Sequence, residues 1–133
     1  MALSVDFVEA DTDEGQRAEE APRRLSGRGL GYRDNGGAGQ IIYVTPGYQM
    51  IALDAASGQR VQSFGDGGIV DLMLGMDQDI DPLSGSIGLH ATPLIAGDTI
   101  VIGAAHIPGS APESMRNTKG HIRGFDADSG ERK

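Results

Sequence analysis

The sequence is short, acidic and rich in glycine. It has 133 residues, a formal net charge of −8, 21 glycines and no cysteine, and only 5% of its residues are aromatic. The negative charge argues against nucleic acid as a partner, and the lack of cysteine excludes disulfides and cysteine-based metal sites. Apolar runs stay well short of the roughly 20 residues of a membrane-spanning helix. Abundant glycine with few aromatic residues instead predicts a β-rich chain with many turns.

Residues 1–25 form a polar N-terminal segment, in which residues 8–24 change from acidic to basic. This pattern predicts an exposed loop or a mobile end. Residues 1–10 contain Asp6 and Glu9 and no basic cluster, so a secretory signal peptide is not expected there. We therefore place the folded domain at 26–133.

Short β-prone runs separated by turn residues follow in chain order. The predicted strands are 41–45, 49–53, 59–64, 92–96, 99–104 and 120–125. Hairpins are expected to turn at Pro46-Gly47 and at Gly97-Asp98, and no long amphipathic helix is predicted. The loops are expected at 26–40, where glycines allow close backbone approach, at 65–90 and at 106–119.

One pattern, Asp-x-x-Ser-Gly, occurs twice, in the segments 52–58 and 124–130. The repeated residues are Asp54 and Asp126, Ser57 and Ser129, and Gly58 and Gly130. Each Asp is expected to accept backbone N–H bonds within its turn, and each Gly to adopt a positive φ. Two copies, each following a strand, indicate a β-repeat.

The repeat predicts two sheet units, at about 26–64 and 88–133, joined by a loop at 65–87. Two such units expose sheet edges and leave a face unburied, and repeat units usually need at least three neighbours for stability. A further strand is expected after Lys133. We therefore expect this chain to be part of a larger β-structure.

Five segments point to a known family. They are 21–32, 41–48, 63–71, 88–93 and 120–126. In this order they resemble pyrroloquinoline-quinone (PQQ)-dependent dehydrogenases, most closely the glucose-dehydrogenase-like branch. The resemblance implies an all-β fold, an eight-bladed β-propeller of which this chain would supply about two blades.

The chain also departs from the family pattern. The repeats resemble the family's docking motif, which normally ends in a Trp, but Phe64 stands near that position in the first copy. Pro22 and Arg23 stand where the alcohol-oxidising branch has a vicinal Cys pair, and Arg33 follows Tyr32 where many relatives have an aromatic residue. The missing Cys pair favours the sugar branch. The family's catalytic Asp lies further along a full-length chain, so no catalytic residue is predicted here.

The resemblance implies three cofactor-binding residues: Arg28, His90 and Thr92. Arg28 lies between Gly27 and Gly29, which allow the backbone to approach a ligand closely, and a guanidinium can hold the carboxylates of a planar cofactor. His90 can donate a hydrogen bond to a quinone or carboxylate oxygen. The competing interpretations are a solvated loop arginine and a hydrogen-bonded histidine at a blade rim.

No metal site is predicted within the chain. The acidic triplet at 77–81 has Pro82 and Gly88 at the sixth and twelfth positions, where an EF-hand needs Gly and Glu. Near His106, where the alcohol-oxidising branch supplies a Glu to calcium, the nearest following carboxylate is Glu113. The ligands of the implied calcium are therefore expected outside this chain.

The resemblance implies that the whole protein oxidises a sugar or alcohol hydroxyl with PQQ and passes electrons to a membrane quinone or a cytochrome. It would face the periplasm in association with the membrane, and its remaining blades would be this chain's partners. The alternative is a non-enzymatic PQQ-repeat-like propeller that acts as a scaffold or binding module. The isolated chain is expected to be inactive, because a propeller holds its cofactor with contacts from many blades.

Overall fold

A computed structural model describes residues 14–22, 29–81, 83, 87–89, 91–106 and 118–133, except for the side chain of His106. These residues form one short helix, a four-stranded sheet, a three-stranded sheet and a two-stranded ribbon. The elements are α1 (Gly15–Glu19), β1 (Gly31–Arg33), β2 (Gln40–Val44), β3 (Gln49–Asp54), β4 (Ile69–Asp71), β5 (Ile87–Gly88), β6 (Leu94–Ala96), β7 (Thr99–Ile102), β8 (Ala105–His106) and β9 (Arg123–Asp126).

The first sheet is an antiparallel meander in the order β1-β2-β3-β4. Alternate residues of β2 are buried, as expected for a strand with one face on the core. The predicted hairpin is confirmed: β2 pairs with β3, and the Thr45 N–H donates to the carbonyl of Gln49 at 2.9 Å. Tyr48 closes this turn with a φ of 65°, a left-handed conformation that is unusual for a bulky residue.

Two expectations about the first sheet are wrong. Residues 59–64 do not form a strand; they make a single bridge, between Leu53 and Arg60, and then a turn. The outer strand is β4, inside the predicted loop at 65–90, because Gly65, Gly67 and Gly68 all adopt positive φ and reverse the chain.

Two other segments differ from the predicted loops. The glycine-rich stretch 26–40 contains β1, which pairs with β2 from Gly31 to Arg33. Residues 15–19 form helix α1 rather than an exposed loop, and Arg17 is 7% exposed. In both cases a long-range partner supplies the stability that a local pattern cannot show.

The second sheet repeats the first in the order β6-β7-β9, and β5 pairs with β8 beside it. The predicted hairpin at Gly97-Asp98 is confirmed, with Gly97 at a φ of 62°. In this sheet β9 lies next to β7 as β3 lies next to β2. The arrangement is that of two successive units of one β-repeat.

The two Asp-x-x-Ser-Gly turns have matching geometry. Asp54 Oδ1 accepts the N–H groups of Ala56 and Ser57 at 3.1 and 2.7 Å. Asp126 Oδ1 accepts the corresponding N–H groups of Asp128 and Ser129 at 3.0 and 2.9 Å. The closing glycines have φ values of 70° and 76°, so both turn predictions are confirmed.

The second turn docks on the first sheet. The carbonyl of Ser129 accepts the Gly65 N–H at 2.8 Å, and that of Ala127 accepts from Gln40 Nε2 at 3.0 Å. Phe64 is fully buried beside Gly130, where a Cβ on the glycine would lie 3.4 Å from the phenyl ring. Phe64 therefore packs at the junction between the two sheets.

The sheets share one apolar core. Its largest fully buried side chains are Tyr48, Phe64, Ile42, Met50, Leu72, Ile87, Ile100 and Ile102. Because these side chains come from both sheets and from the turns between strands, the two units pack as one body.

Candidate functional site

The starts of β1 and β6 lie side by side at one edge of the two sheets. A Cβ on Gly29 would meet Thr92, and one on Gly31 would lie 3.2 Å from the carbonyl oxygen of Pro93, so the contacts advance in the same direction along both strands. The β2–β3 turn, the end of β7 and the start of β9 meet at this edge, whereas the Asp-x-x-Ser-Gly turns lie at the opposite one. We call the edge that contains Gly29 and Thr92 the candidate edge.

Gly29 and Thr92 are in close contact at the candidate edge. A Cβ on Gly29 would lie 1.7 Å from Thr92 Oγ1 and 2.7 Å from Thr92 Cβ, so only glycine permits this approach. Thr92 itself is exposed. Arg28 and His90, the other two predicted cofactor residues, lie outside the described residues, and the structure does not test their roles. The structure does place the segment that contains Gly29 next to the segment that contains Thr92, and the sequence analysis assigned both segments to the cofactor.

Charged side chains at the start of helix α1 bond to the β2–β3 turn at this edge. The guanidinium of Arg17 donates to Asp71 at 2.6 and 2.9 Å, and its Nε donates to the carbonyl of Gly47. The carboxylate of Glu14 accepts the Gly47 N–H at 3.0 Å and the Thr45 hydroxyl. Both the N–H and the carbonyl of Gly47, in the β2–β3 turn, are therefore bonded by side chains at the start of the helix.

The two carboxyl groups of this cluster have opposite pKa shifts. Burial raises the pKa of Glu14 and outweighs its hydrogen bonds to Thr45 and Gly47. Burial acts in the same direction on Asp71, but there the hydrogen bond and charge of Arg17, with the Met73 N–H, lower the pKa overall.

A second buried cation joins the two sheets. Arg123 on β9 is 4% exposed, and its Nη2 donates to the carbonyl of Leu72 at 2.6 Å and to the hydroxyl of Tyr48 at 3.3 Å. Its guanidinium carbon lies 5.8 and 5.4 Å from the ring centroids of Tyr48 and Phe125. Sequence reasoning missed Arg123, Arg17 and Tyr48. For Arg123 a signal was present: it lies two residues before Phe125, so the two side chains share the buried face of β9.

The described ranges contain no group of three or more His, Cys, Asp or Glu side chains arranged to hold a metal ion. Asp77, Asp79 and Asp81 are exposed.

Within the described ranges, no helix is both long and apolar enough to span a membrane.

The antiparallel sheets, their repeated turns and the side-by-side first strands define a pair of blades of a β-propeller. The chain belongs to the PQQ-dependent dehydrogenase family: the model of the glucose/ethanol/alcohol dehydrogenase β-propeller domain matches residues 9–133.

The chain is similar to two curated proteins, the glycerol dehydrogenase large subunits of Gluconobacter oxydans (strain 621H) and Gluconobacter thailandicus. It is 32% identical to each of them over 91 residues. The match covers 68% of this chain but only 11% and 12% of the relatives, so the chain spans about a tenth of their length.

Two solved structures share the fold. A europium-containing methanol dehydrogenase matches 88% of this chain with a TM-score of 0.59 and 21% identity. A quinohemoprotein alcohol dehydrogenase from Pseudomonas putida HK5 matches 92% with a TM-score of 0.60 and 20% identity. The chain covers 16% and 14% of these two structures. The prediction of a partial propeller in this family is confirmed.

The described part of the candidate edge fits one portion of a PQQ site. Thr92 is an exposed residue whose hydroxyl lies against the bare backbone of Gly29, and a hydroxyl can donate a hydrogen bond to a quinone or carboxylate oxygen. A positive charge for the carboxylates would come from Arg28, by resemblance.

Proposed function

We propose that the protein containing this chain oxidises the hydroxyl group of an alcohol or sugar by means of bound PQQ. The observation that supports this most directly is the contact of Gly29 with Thr92, which joins the two segments that the family resemblance assigns to the cofactor. PQQ, when bound, accepts the two electrons and two protons that the substrate carbinol loses in becoming a carbonyl.

This chain's residues would bind and orient the cofactor rather than perform the redox step. The Thr92 hydroxyl would donate to a cofactor oxygen, and Arg28 and His90 would supply charge and a further donor. The close approach at Gly29 would exclude water from that side of the ring system, which strengthens each polar contact.

A small polyhydroxy alcohol is the first substrate class to test, because two relatives are named for glycerol. Aldoses come next, since the chain resembles the glucose-dehydrogenase-like branch. The site would also use a metal ion; calcium is the family expectation, with ligands outside this chain, and a lanthanide is the alternative suggested by the europium-containing relative. The electron acceptor would be a membrane quinone or a cytochrome at the periplasmic side.

The test is dye reduction by the purified whole protein, with and without PQQ, in calcium or lanthanide buffer. Glycerol, glucose, ethanol and methanol form the substrate panel. We expect a PQQ-dependent rate with at least one of them. If no PQQ-dependent rate or PQQ binding occurs, the scaffold or binding-module alternative replaces the enzyme.

The residue-level test uses Thr92→Val, which keeps the shape of the side chain and removes the hydroxyl. Loss of one hydrogen bond should raise the PQQ dissociation constant by about fivefold. Thr99→Val is the matched control, because Thr99 lies at the opposite edge, where its hydroxyl contacts Asp98 and Lys133.

A further inference from the structure

Tyr48 holds a position that its backbone conformation makes costly. Its φ of 65° lies in the left-handed region, and its side chain is fully buried. The conformation is over-determined by the surroundings: the Tyr48 N–H donates to Thr45 at 3.0 Å, and its carbonyl accepts from Leu72 at 3.1 Å. Strained residues that the structure holds this firmly are often part of functional sites.

The Tyr48 hydroxyl reaches the second sheet at the candidate edge. It donates to the carbonyl of Gly103 at 2.6 Å, directly after the end of β7. The β6–β7 ladder ends at the pair Leu94–Val101; Thr92 lies two residues before this pair and Gly103 two residues after it, so both lie past the strand ends at the candidate edge. The hydroxyl therefore holds the backbone where β7 ends, at the edge that carries the candidate cofactor residue.

Arg123 determines the direction of this hydrogen bond. An arginine can only donate, so the contact of its Nη2 with the Tyr48 oxygen leaves the phenolic proton for Gly103. The guanidinium carbon lies over the Tyr48 ring, 5.8 Å from its centroid, and this cation–π contact favours the arrangement. Burial raises the pKa of Tyr48 and outweighs the effect of Arg123, so the phenol stays protonated and able to donate.

We infer that Tyr48 is a positioning residue for the cofactor site, acting on Thr92 through the Gly103 carbonyl, with Arg123 orienting its hydroxyl. The inference rests on the proposed function, since it concerns the residue that would bind PQQ. It assigns a role in the site to a residue of the β2–β3 turn that the sequence analysis did not single out.

The test is the affinity of the whole protein for PQQ, measured by equilibrium titration well below the unfolding temperature of each variant. Tyr48→Phe should raise the PQQ dissociation constant about five- to tenfold. Tyr43→Phe is the matched control, because Tyr43 lies in the same hairpin and also loses a buried hydroxyl. The control should bind PQQ as the unchanged protein does. A merely structural role would lower the unfolding temperature without changing the affinity of the folded protein.

A double-mutant cycle identifies the route. If Tyr48 acts through Thr92, Tyr48→Phe should add less than twofold to the effect of Thr92→Val. Should Tyr48→Phe fail to fold, Arg123→Lys is the second variant, because it keeps the buried charge and loses the planar donor. It should also raise the PQQ dissociation constant. Affinity equal to that of the unchanged protein, in Tyr48→Phe or in a folded Arg123→Lys, would overturn the inference alone. Absence of PQQ binding by the unchanged protein would overturn the proposed function and the inference together.

Discussion

The backbone of Gly29 lies against the side chain of Thr92 so closely that a methyl group on Gly29 would come within 1.7 Å of Thr92 Oγ1. Real side chains do not tolerate such a distance, so any larger residue at position 29 must displace Thr92 or separate β1 from β6. This contact links the geometry of two blades directly to the candidate cofactor site.

Replacing Gly29 with alanine should therefore damage the site more than the fold. We expect Gly29→Ala to raise the PQQ dissociation constant of the whole protein at least fivefold, because the Thr92 hydroxyl is displaced. Gly37→Ala is the control: Gly37 is exposed, and the nearest atom to its added Cβ, Asn35 Oδ1, lies 3.4 Å away. Equal PQQ affinity in the two variants would contradict the prediction.

The docking of the second turn predicts a large cost at Gly130. Gly97 and Gly130 both have positive φ, so alanine should cost each about 1 kcal/mol of stability. A Cβ on Gly97 meets nothing within 4 Å, whereas one on Gly130 would lie 2.7 Å from Val70 Cγ2. Gly130→Ala should therefore be less stable than Gly97→Ala by about 1–3 kcal/mol, because the added methyl group overpacks the junction between the sheets. Urea unfolding of the whole protein measures the difference, and equal midpoints would show that the turn can move.

The buried pair Arg17–Asp71 should matter more than an exposed one. Arg17→Met leaves the half-buried carboxylate of Asp71 without its partner, which should cost about 2–4 kcal/mol. Lys133→Met breaks the exposed contact with Asp98 and should cost much less than Arg17→Met, because solvent screens an exposed pair. Adding Asp71→Leu to Arg17→Met should recover part of the loss, and a double variant less stable than Arg17→Met would refute this account. Thermal unfolding provides the comparison.

The opposite pKa shifts of Glu14 and Asp71 predict opposite pH dependence. The lowered pKa of Asp71 contributes stability above about pH 4 that is lost as the pH falls, so Asp71→Asn should approach the unchanged protein in acid. The raised pKa of Glu14 favours the folded state while the carboxyl is protonated, and this contribution is lost as the pH rises through the folded value. Glu14→Gln should therefore gain on the unchanged protein as the pH rises above about 4. Urea midpoints measured from below about pH 4 to neutral pH give both slopes, and parallel curves for the two variants would exclude the prediction.

The isolated chain should bind PQQ weakly and self-associate. The second blade shows why: Ile122 is 82% exposed, whereas Met50, which precedes its Asp-x-x-Ser-Gly turn by the same spacing, is fully buried. Ile122→Lys should reduce association in sedimentation experiments by removing exposed apolar surface. Gln62→Lys, at another exposed position, is the control for added charge. Tight, nanomolar PQQ binding by the chain alone would show that two blades suffice.

Local chemistry determined the parts of this protein that the sequence predicted well. The Asp and Gly of each repeated turn act within five residues, so Asp54 and Gly58, and likewise Asp126 and Gly130, could be assigned from the pattern alone. The hairpins at Pro46-Gly47 and Gly97-Asp98 followed from the same local rules, and the ordered family segments indicated the propeller.

The tertiary structure alone decided the elements that depend on distant partners. Strand β4, rather than residues 59–64, pairs with β3, because the glycines after Phe64 reverse the chain and Phe64 is drawn under the second turn. Helix α1 is stabilised by the ion pair between Arg17 and Asp71, which are far apart in the sequence. The placement of Thr92 against Gly29, and the approach of Tyr48 to Gly103, arise only when β1 and β6 pack side by side. Such contacts depend on the packing free energy of two whole sheets, which no short stretch of sequence contains.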